Sequence, residues 1–169
     1  MVDQVEVIIE IPQGSRNKYE YDHETHVIKL DRVLHSAVHY PTDYGFLPDS
    51  LSKDGDPLDF LVVVLDPTFP GCHVLVRPIG VLRMIDEKGE DEKILAVPVG
   101  DPRFENIDDI DDLPPHWLKE VENFFATYKL LEEKDTDLLG WDDAAAAEGV
   151  IADARRRHRE SLPHPDPVA

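Results

Sequence analysis

With 169 residues, 41% of them hydrophobic, the chain is long enough to fold as one domain around a real core. Its 36 Asp and Glu against 17 Lys and Arg give a formal net charge of -19, which repels nucleic acid and anionic membrane, so basic residues held in a pocket need a local reason. A single cysteine, Cys72, excludes an intrachain disulfide, the N-terminal M-V-D-Q-V-E-V does not read as a leader, and no run approaches the roughly 20 apolar residues of a membrane span; the expectation is a soluble, cytoplasmic protein.

Val5, Val7, Ile9 and Ile11 alternate with polar positions, broken only by Ile8, and Pro12 and Gly14 end the run, which is a strand signature. Glu10 lies near the end of that strand, facing either a site or solvent. Arg16 to Tyr21 and His26 to Arg32, joined by the turn-like D-H-E-T, read as two short strands. Lys18 and Glu20 have the same parity and share a face, a pattern that an exposed ion-pair ladder would also give. The segment H-Y-P-T-D-Y-G-F-L-P from His39 belongs to an ordered loop, in which Tyr40 and Tyr44 either pack in the core or donate to a ligand oxygen.

Asp54 to Asp59, D-G-D-P-L-D, puts three carboxylates within six residues, and Gly55 and Pro57 impose a tight, non-helical backbone. Such a cluster suits the floor of a site for a hard cation such as Mg2+, although the same residues also build ordinary solvated turns. The apolar run Phe60 to Leu65 that follows reads as a buried strand able to hold the turn rigidly. A calcium-binding helix-loop-helix is excluded by spacing, because Leu58, Asp59 and Leu65 stand where that loop needs an oxygen ligand, a glycine and a glutamate.

His73 to Ile85 is expected to form two strand-like pieces broken near Pro78 and Gly80. Asp86 to Lys93, D-E-K-G-E-D-E-K, is a second acidic turn before the apolar I-L-A-V-P-V; alone it reads as a solvated hairpin loop, but two such turns could converge on shared ions. From Pro115, Leu118, Val121, Phe124, Phe125, Tyr128 and Leu131 recur at helical spacing, with Tyr128 and Lys129 at the end of the helix. Trp141 is expected to plug the core, and Asp142 to Glu160 to form a second helix with a basic end. A single domain over residues 1–160 is expected, and the proline-rich residues 161–169 are expected to be disordered.

In order, E-I-P at Glu10, K-Y-E at Lys18, D-R at Asp31, Y-P-x-D-Y-G at Tyr40, D-G-D-P-L-D at Asp54, D-E-x-G-E-D-x-K at Asp86 and Y-K at Tyr128 resemble the family I soluble inorganic pyrophosphatases of bacterial type. The resemblance covers roughly residues 5 to 145. His23 is similar to a histidine of some actinobacterial members and is read as structural or peripheral. The resemblance implies a mainly β, α+β fold, a small closed barrel of the oligonucleotide-binding type flanked by two C-terminal helices, and a homohexamer. It implies hydrolysis of pyrophosphate to two orthophosphates with several Mg2+ per active site. Asp54, Asp59, Asp86, Asp91 and Glu20 match the metal-binding residues, and Asp56 the carboxylate that contacts the attacking water and would act as general base. Lys18, Arg32, Tyr44, Lys93, Tyr128 and Lys129 match the substrate-binding set, and Glu10 and Tyr40 match supporting residues. Phe60, in place of a smaller aliphatic residue, and Leu130, in place of an acidic one, depart from the family pattern.

These residue types suit that chemistry, because a water must reach a phosphorus screened by negative oxygens and a phosphate must leave. No Ser, Cys or His is placed as an activated nucleophile, so direct attack by water is expected. The competing readings are a module that binds divalent metal without catalysis, a nucleic-acid-binding barrel and a hydrolase of nucleoside di- or triphosphates. The first leaves the Lys, Arg and Tyr set without a task, and the second conflicts with the charge.

Overall fold

The structure, a computed structural model, describes residues 3–163. Its strands are β1 (Val5–Ile11), β2 (Asn17–Asp22), β3 (Val27–Val33), β4 (Asp43–Phe46), β5 (Asp59–Val62), β6 (His73–Asp86), β7 (Gly89–Pro98) and β8 (Asp137–Asp143). Two helices, α1 (Pro115–Thr127) and α2 (Ala144–Ser161), follow β7 and β8. β1 pairs antiparallel with both β4 and β6, β4 with β5, β5 in parallel with β7, and β7 with β6, so hydrogen bonding closes a ring. Closure leaves those strands few open edges. β2 and β3 form a separate hairpin, and β8 adds to β6 outside the ring.

The length of β6 makes the ring possible. Its first residues, His73 to Val76, pair with β1, while Gly80 to Ile85 pair with β8, so one 14-residue strand borders three neighbours. The expected break near Pro78 and Gly80 is instead a register irregularity within a continuous strand. Proline lacks the N–H that a regular ladder requires, and the strand accommodates it at the bulge rather than ending.

The sheet is buried on both faces, which accounts for the uninterrupted apolar run after Asp59. Phe60, Val62 and Val64 join a cluster with Val5, Val7, Ile9 and the α2 residues Ala147, Val150, Ile151 and Ala154. Leu61 and Val63, of opposite parity, join Leu82, Met84 and the α1 residues Val121, Phe124 and Phe125. Phe60, bulkier than the family pattern, is 0% exposed and lies within the first cluster.

Gly45 is fixed by the approach of β4 to β1: a Cβ there would lie 2.0 Å from the Ile8 carbonyl oxygen, a backbone atom that cannot turn aside. Gly45→Ala is therefore expected to cost about 1–3 kcal/mol as the ring is forced open locally. Denaturant unfolding checks this, and an unchanged midpoint would refute it.

α1 starts with Pro115 in its first turn, where a missing N–H costs nothing, and ends at Tyr128, whose N–H still donates to Phe124 O. The chain then tightens into a 3-10 turn over Leu130–Glu132, which swings Leu131 out of the apolar stripe to 67% exposure, contrary to expectation. β8 was not foreseen either, since D-L-L-G-W-D-D has neither regular alternation nor β-branched residues. Trp141 is half-buried on β8 opposite Leu82, and its indole N–H donates to Glu122 Oε1 at 2.8 Å, so it seals the margin of the core rather than filling it. α2 begins two residues later than expected because Asp143 caps it, accepting from Ala146 N at 2.9 Å. Residues 164–169 of the expected tail lie outside the described residues.

Candidate active site

A cavity of about 350 Å³ opens at one end of the ring, and every residue expected at the site lines it except Tyr40. Four pieces of the chain supply most of these residues, and Glu10 of β1 and Tyr44 of β4 supply the rest. The β6–β7 hairpin supplies Asp86, Asp91 and Lys93; only Glu87 and Lys88 lie between its strands, so the second acidic turn is mostly strand. The loop between β4 and β5 supplies Asp54 and Asp56, with Asp59 opening β5. The β2–β3 hairpin presents Lys18, Glu20 and Arg32, with Lys18 and Arg32 directly opposed in register. Tyr128 and Lys129 close the cavity from the end of α1.

The acidic loop is closed at its base by one of its own side chains. Ser50 Oγ accepts from Leu58 N at 2.9 Å and donates to Leu47 O, fastening the two ends together. Gly55 has φ +91°, and Asp56 N donates to Asp54 Oδ1 at 3.0 Å, so the sequence signal of tight, glycine-dependent backbone corresponds to a real turn. Asp43, 0% exposed, performs a similar task further out by accepting from Gln13 N, Thr68 N and Thr68 Oγ1.

Lys93 is the centre of the acidic wall. Parallel pairing sets it directly across from Asp59, and its Nζ lies 2.9 Å from Asp59 Oδ2, 3.0 Å from Asp91 Oδ2 and 2.9 Å from the Tyr44 hydroxyl. Burial favours the neutral amine, but Asp59 and then Asp91 outweigh it and hold the ammonium charged. Burial likewise raises the Asp59 and Asp54 carboxyls above the usual range, opposed at Asp59 by Lys93. Burial pushes the Tyr44 hydroxyl well up, so it remains a proton donor. Tyr40 lies behind the wall, 1% exposed, edge-on to Tyr44 at 5.5 Å and packed on Phe124 at 4.6 Å, a placement that suits a supporting residue.

The other wall is cationic, but each cation has an acidic neighbour. Arg32 meets Asp31 at 2.6 Å and Glu132 at 2.7 Å, Lys18 lies 3.5 Å from Asp31, and Lys129 lies 3.2 Å from Glu87 and 3.7 Å from Asp86. Any anion entering must draw these groups away from their present partners. Glu87 and Glu132 were missed by the sequence reading, because what distinguishes them from surface acids is a partner far away in the chain. His23 is also less peripheral than expected: it lines the cavity, edge-on to Tyr21 at 4.9 Å and to Phe46 at 5.1 Å.

Glu10 faces this cavity rather than solvent and accepts from Tyr21 N at 2.8 Å. Burial pushes its carboxyl up to about 7; the Tyr21 bond opposes this and Asp59 adds to it. Between pH 4.5 and 7 the folded protein keeps a proton that the unfolded chain has released, so stability falls as pH rises through that window. Glu10→Gln keeps an acceptor for Tyr21 without the buried charge. In chelator, it is expected to stabilise the fold at pH 8 by about 2 kcal/mol more than at pH 4.5, as read by urea unfolding. An equal effect at both pH values would refute this assignment.

Carboxyl groups outnumber cationic side chains around the cavity, and the donors are oxygens, which suits Mg2+ better than a softer ion. Among the described residues no three His, Cys, Asp or Glu are gathered as a ready-made metal cage. Mg2+ is usually bound by one or two carboxylates with waters and phosphate oxygens completing its shell, so the donor set fits it.

Residues 7–159 match the family described as inorganic pyrophosphatase. The chain belongs to the inorganic pyrophosphatase family. It is 56% identical over 154 residues to an inorganic pyrophosphatase of Methanosarcina mazei, covering 91% of each chain. It is 55% identical over 147 residues to that of Leifsonia xyli subsp. xyli, covering 86% of this chain and 90% of the other. The crystal structure of the inorganic pyrophosphatase from Thermus thermophilus superposes with a TM-score of 0.90 at 46% identity, covering 92% of this chain and 91% of that one. The expected fold is thus that of the inorganic pyrophosphatase family, with a ring-like sheet and two C-terminal helices. Leu130, the departure next to the Tyr128–Lys129 pair, is 52% exposed and not among the residues lining the cavity.

Proposed function

We propose that this chain hydrolyses inorganic pyrophosphate to two orthophosphates by direct attack of water, with Mg2+ as its cofactor. The observation that carries the reading is the pairing, in one cavity, of an acidic wall built on Asp54, Asp56, Asp59, Asp86 and Asp91 with a cationic one built on Lys18, Arg32 and Lys129. A metal-binding module needs only the first wall, and an anion sensor only the second.

Asp54, Asp59, Asp86, Asp91 and Glu20 would hold the Mg2+ ions. Bound there, Mg2+ would acidify the attacking water and screen the charge on the phosphoryl oxygens. Asp56 takes the proton of that water. Lys18, Arg32, Tyr128 and Lys129 hold the two phosphoryl ends in line, and Lys18, Arg32 and Lys129 also offset charge developing on the leaving phosphate. Tyr44 donates from a hydroxyl fixed by Lys93, and Lys93 keeps Asp59 and Asp91 from repelling each other. Glu10 and Tyr40 support the wall from behind.

A single pyrophosphatase domain over residues 1–160 and a homo-oligomer, a hexamer, belong to the same proposal. Val27, Leu30 and Val33 on β3 are about half exposed, apolar surface that an assembly could cover. Light scattering on the 19.2 kDa chain tests the assembly. No helix among the described residues is long and apolar enough to cross a membrane, and the lone Cys72 suits the cytoplasm proposed for it.

The test of the reaction is orthophosphate release from pyrophosphate with Mg2+, with excess chelator, and with ATP in place of pyrophosphate. Fast release that requires Mg2+ and is nearly absent with ATP is expected. No release with any divalent metal, from folded protein, would leave the metal-binding module in its place; comparable release from ATP would make the chain a nucleotide hydrolase.

A further inference from the structure

Glu92 stands between Asp91 and Lys93, which line the cavity, but strand alternation turns its side chain to the other face of β7. There it is only 13% exposed and is shared by two cations: Arg83 Nη1 lies 2.6 Å from Oε2, and Lys53 Nζ lies 3.6 Å from Oε1. Lys53 also meets Glu90 Oε2 at 2.6 Å. Arg83, opposite Glu92 in the β6–β7 register, continues to Asp142 on β8. The chain of charges runs behind the acidic wall and ends at the residue preceding Asp54.

The rest of the acidic loop is secured elsewhere. Leu51 N donates to Ala154 O of α2 at 3.0 Å, Arg157 reaches Leu51 O at 3.4 Å, and Ser50 closes the base. The tip, from Lys53 to Asp56, is exposed, and its inner bonds, Gly55 N to Ser52 O and Ser52 N to Asp56 O, stay within the loop. Among the described residues, the ion pairs joining the tip to another element are those of Lys53 and a 3.9 Å approach of Lys88 to Asp56. A fully exposed lysine pair would contribute little, but Glu92 is largely shielded and gripped from its far side by Arg83.

We propose that Glu92 and Lys53 are positioning residues that hold the Asp54 turn at a fixed distance from Asp91 and thereby set the affinity for divalent cations. The proposal rests on the metal-dependent reading of the cavity. Neither side chain touches the cavity, so its effect must pass through the backbone of Asp54 and Asp91.

Three measurements on the full chain test it, with Lys53→Met, Glu92→Gln and the double variant. In chelator, amide hydrogen exchange at Gly55 and Asp56 is expected to quicken by about five- to tenfold in each single variant, with global unfolding unchanged. By titration calorimetry without substrate, Mg2+ affinity should fall by about the same factor, and the double variant should lose no more than the worse single one. In assays the loss should fall on the Mg2+ concentration required rather than on turnover at saturating Mg2+. Unchanged exchange and affinity in both single variants, or losses that simply add in the double, would overturn the proposal. Should the unaltered protein bind no Mg2+, the metal reading falls with its consequence for affinity, and the exchange rates alone decide whether the tether exists.

Discussion

Asp56→Asn is expected to lower turnover on pyrophosphate by about 10²- to 10⁴-fold, the range associated with loss of a positioned general base. Asp56 differs from Asp59 and Asp91 in not being held by a buried lysine. Its side chain is 67% exposed and, among the described residues, the cation paired with it is Lys88 at 3.9 Å, whereas Asp59 and Asp91 each have Lys93 within 3.0 Å. A carboxylate that is to accept a proton from water must not already be neutralised by an ammonium, and Asp56 meets that condition. Asparagine preserves its shape, and the Asp56 N–H to Asp54 Oδ1 bond does not involve the replaced side chain, so the turn should persist. Mg2+ affinity measured by calorimetry is therefore expected to change only a few-fold. A fall in affinity as large as the fall in turnover would make Asp56 a plain ligand and leave the base to be sought elsewhere.

What could be read from the sequence was whatever depends on short spacing. The alternation of Val5, Val7, Ile9 and Ile11, the Gly55-dependent turn and the shared face of Lys18 and Glu20 are local consequences of strand and turn geometry, and all are present in the fold. The residues proposed for the site are picked out by a recognisable order of motifs, and their spacing does not predict that Lys129 and Asp86 lie 3.7 Å apart. Where long-range pairing decides the local structure, the reading failed. β8 is a strand because β6 extends far enough past β1 to offer it a partner, and β6 remains whole across Pro78 because its neighbours hold both halves. Leu131 illustrates the converse: its spacing continues the helical stripe, but the backbone has already left the helix at Thr127. Glu87 and Glu132 gain their significance only from Lys129 and Arg32, partners supplied by a different part of the chain.

Lys93→Met is expected to be the most destabilising single change at the site, costing about 3–5 kcal/mol in chelator because it leaves buried acids without their cation. For a chain of this length that corresponds to a fall in unfolding temperature of roughly 10 °C. Methionine retains the unbranched stem that packs near the rings of Tyr44 and Phe125, where Nζ lies 5.1 and 5.2 Å from the centroids, so the loss isolates the charge rather than the volume. Without the ammonium, Asp59 and Asp91 repel each other, and the Asp59 carboxyl, already raised by burial, rises further. The folded state then holds a proton that the unfolded chain releases, so the destabilisation should be small near pH 4 and grow as pH rises through the Asp59 titration. Mg2+ supplies positive charge to the same wall, so it should restore more stability to the variant than it adds to the unaltered protein. Thermal unfolding at pH 4.5 and pH 7.5, each with chelator and with Mg2+, separates these effects. A loss below about 1 kcal/mol that is independent of pH and metal would mean that Lys93 is an ordinary packed lysine and that the acidic wall has another source of compensation.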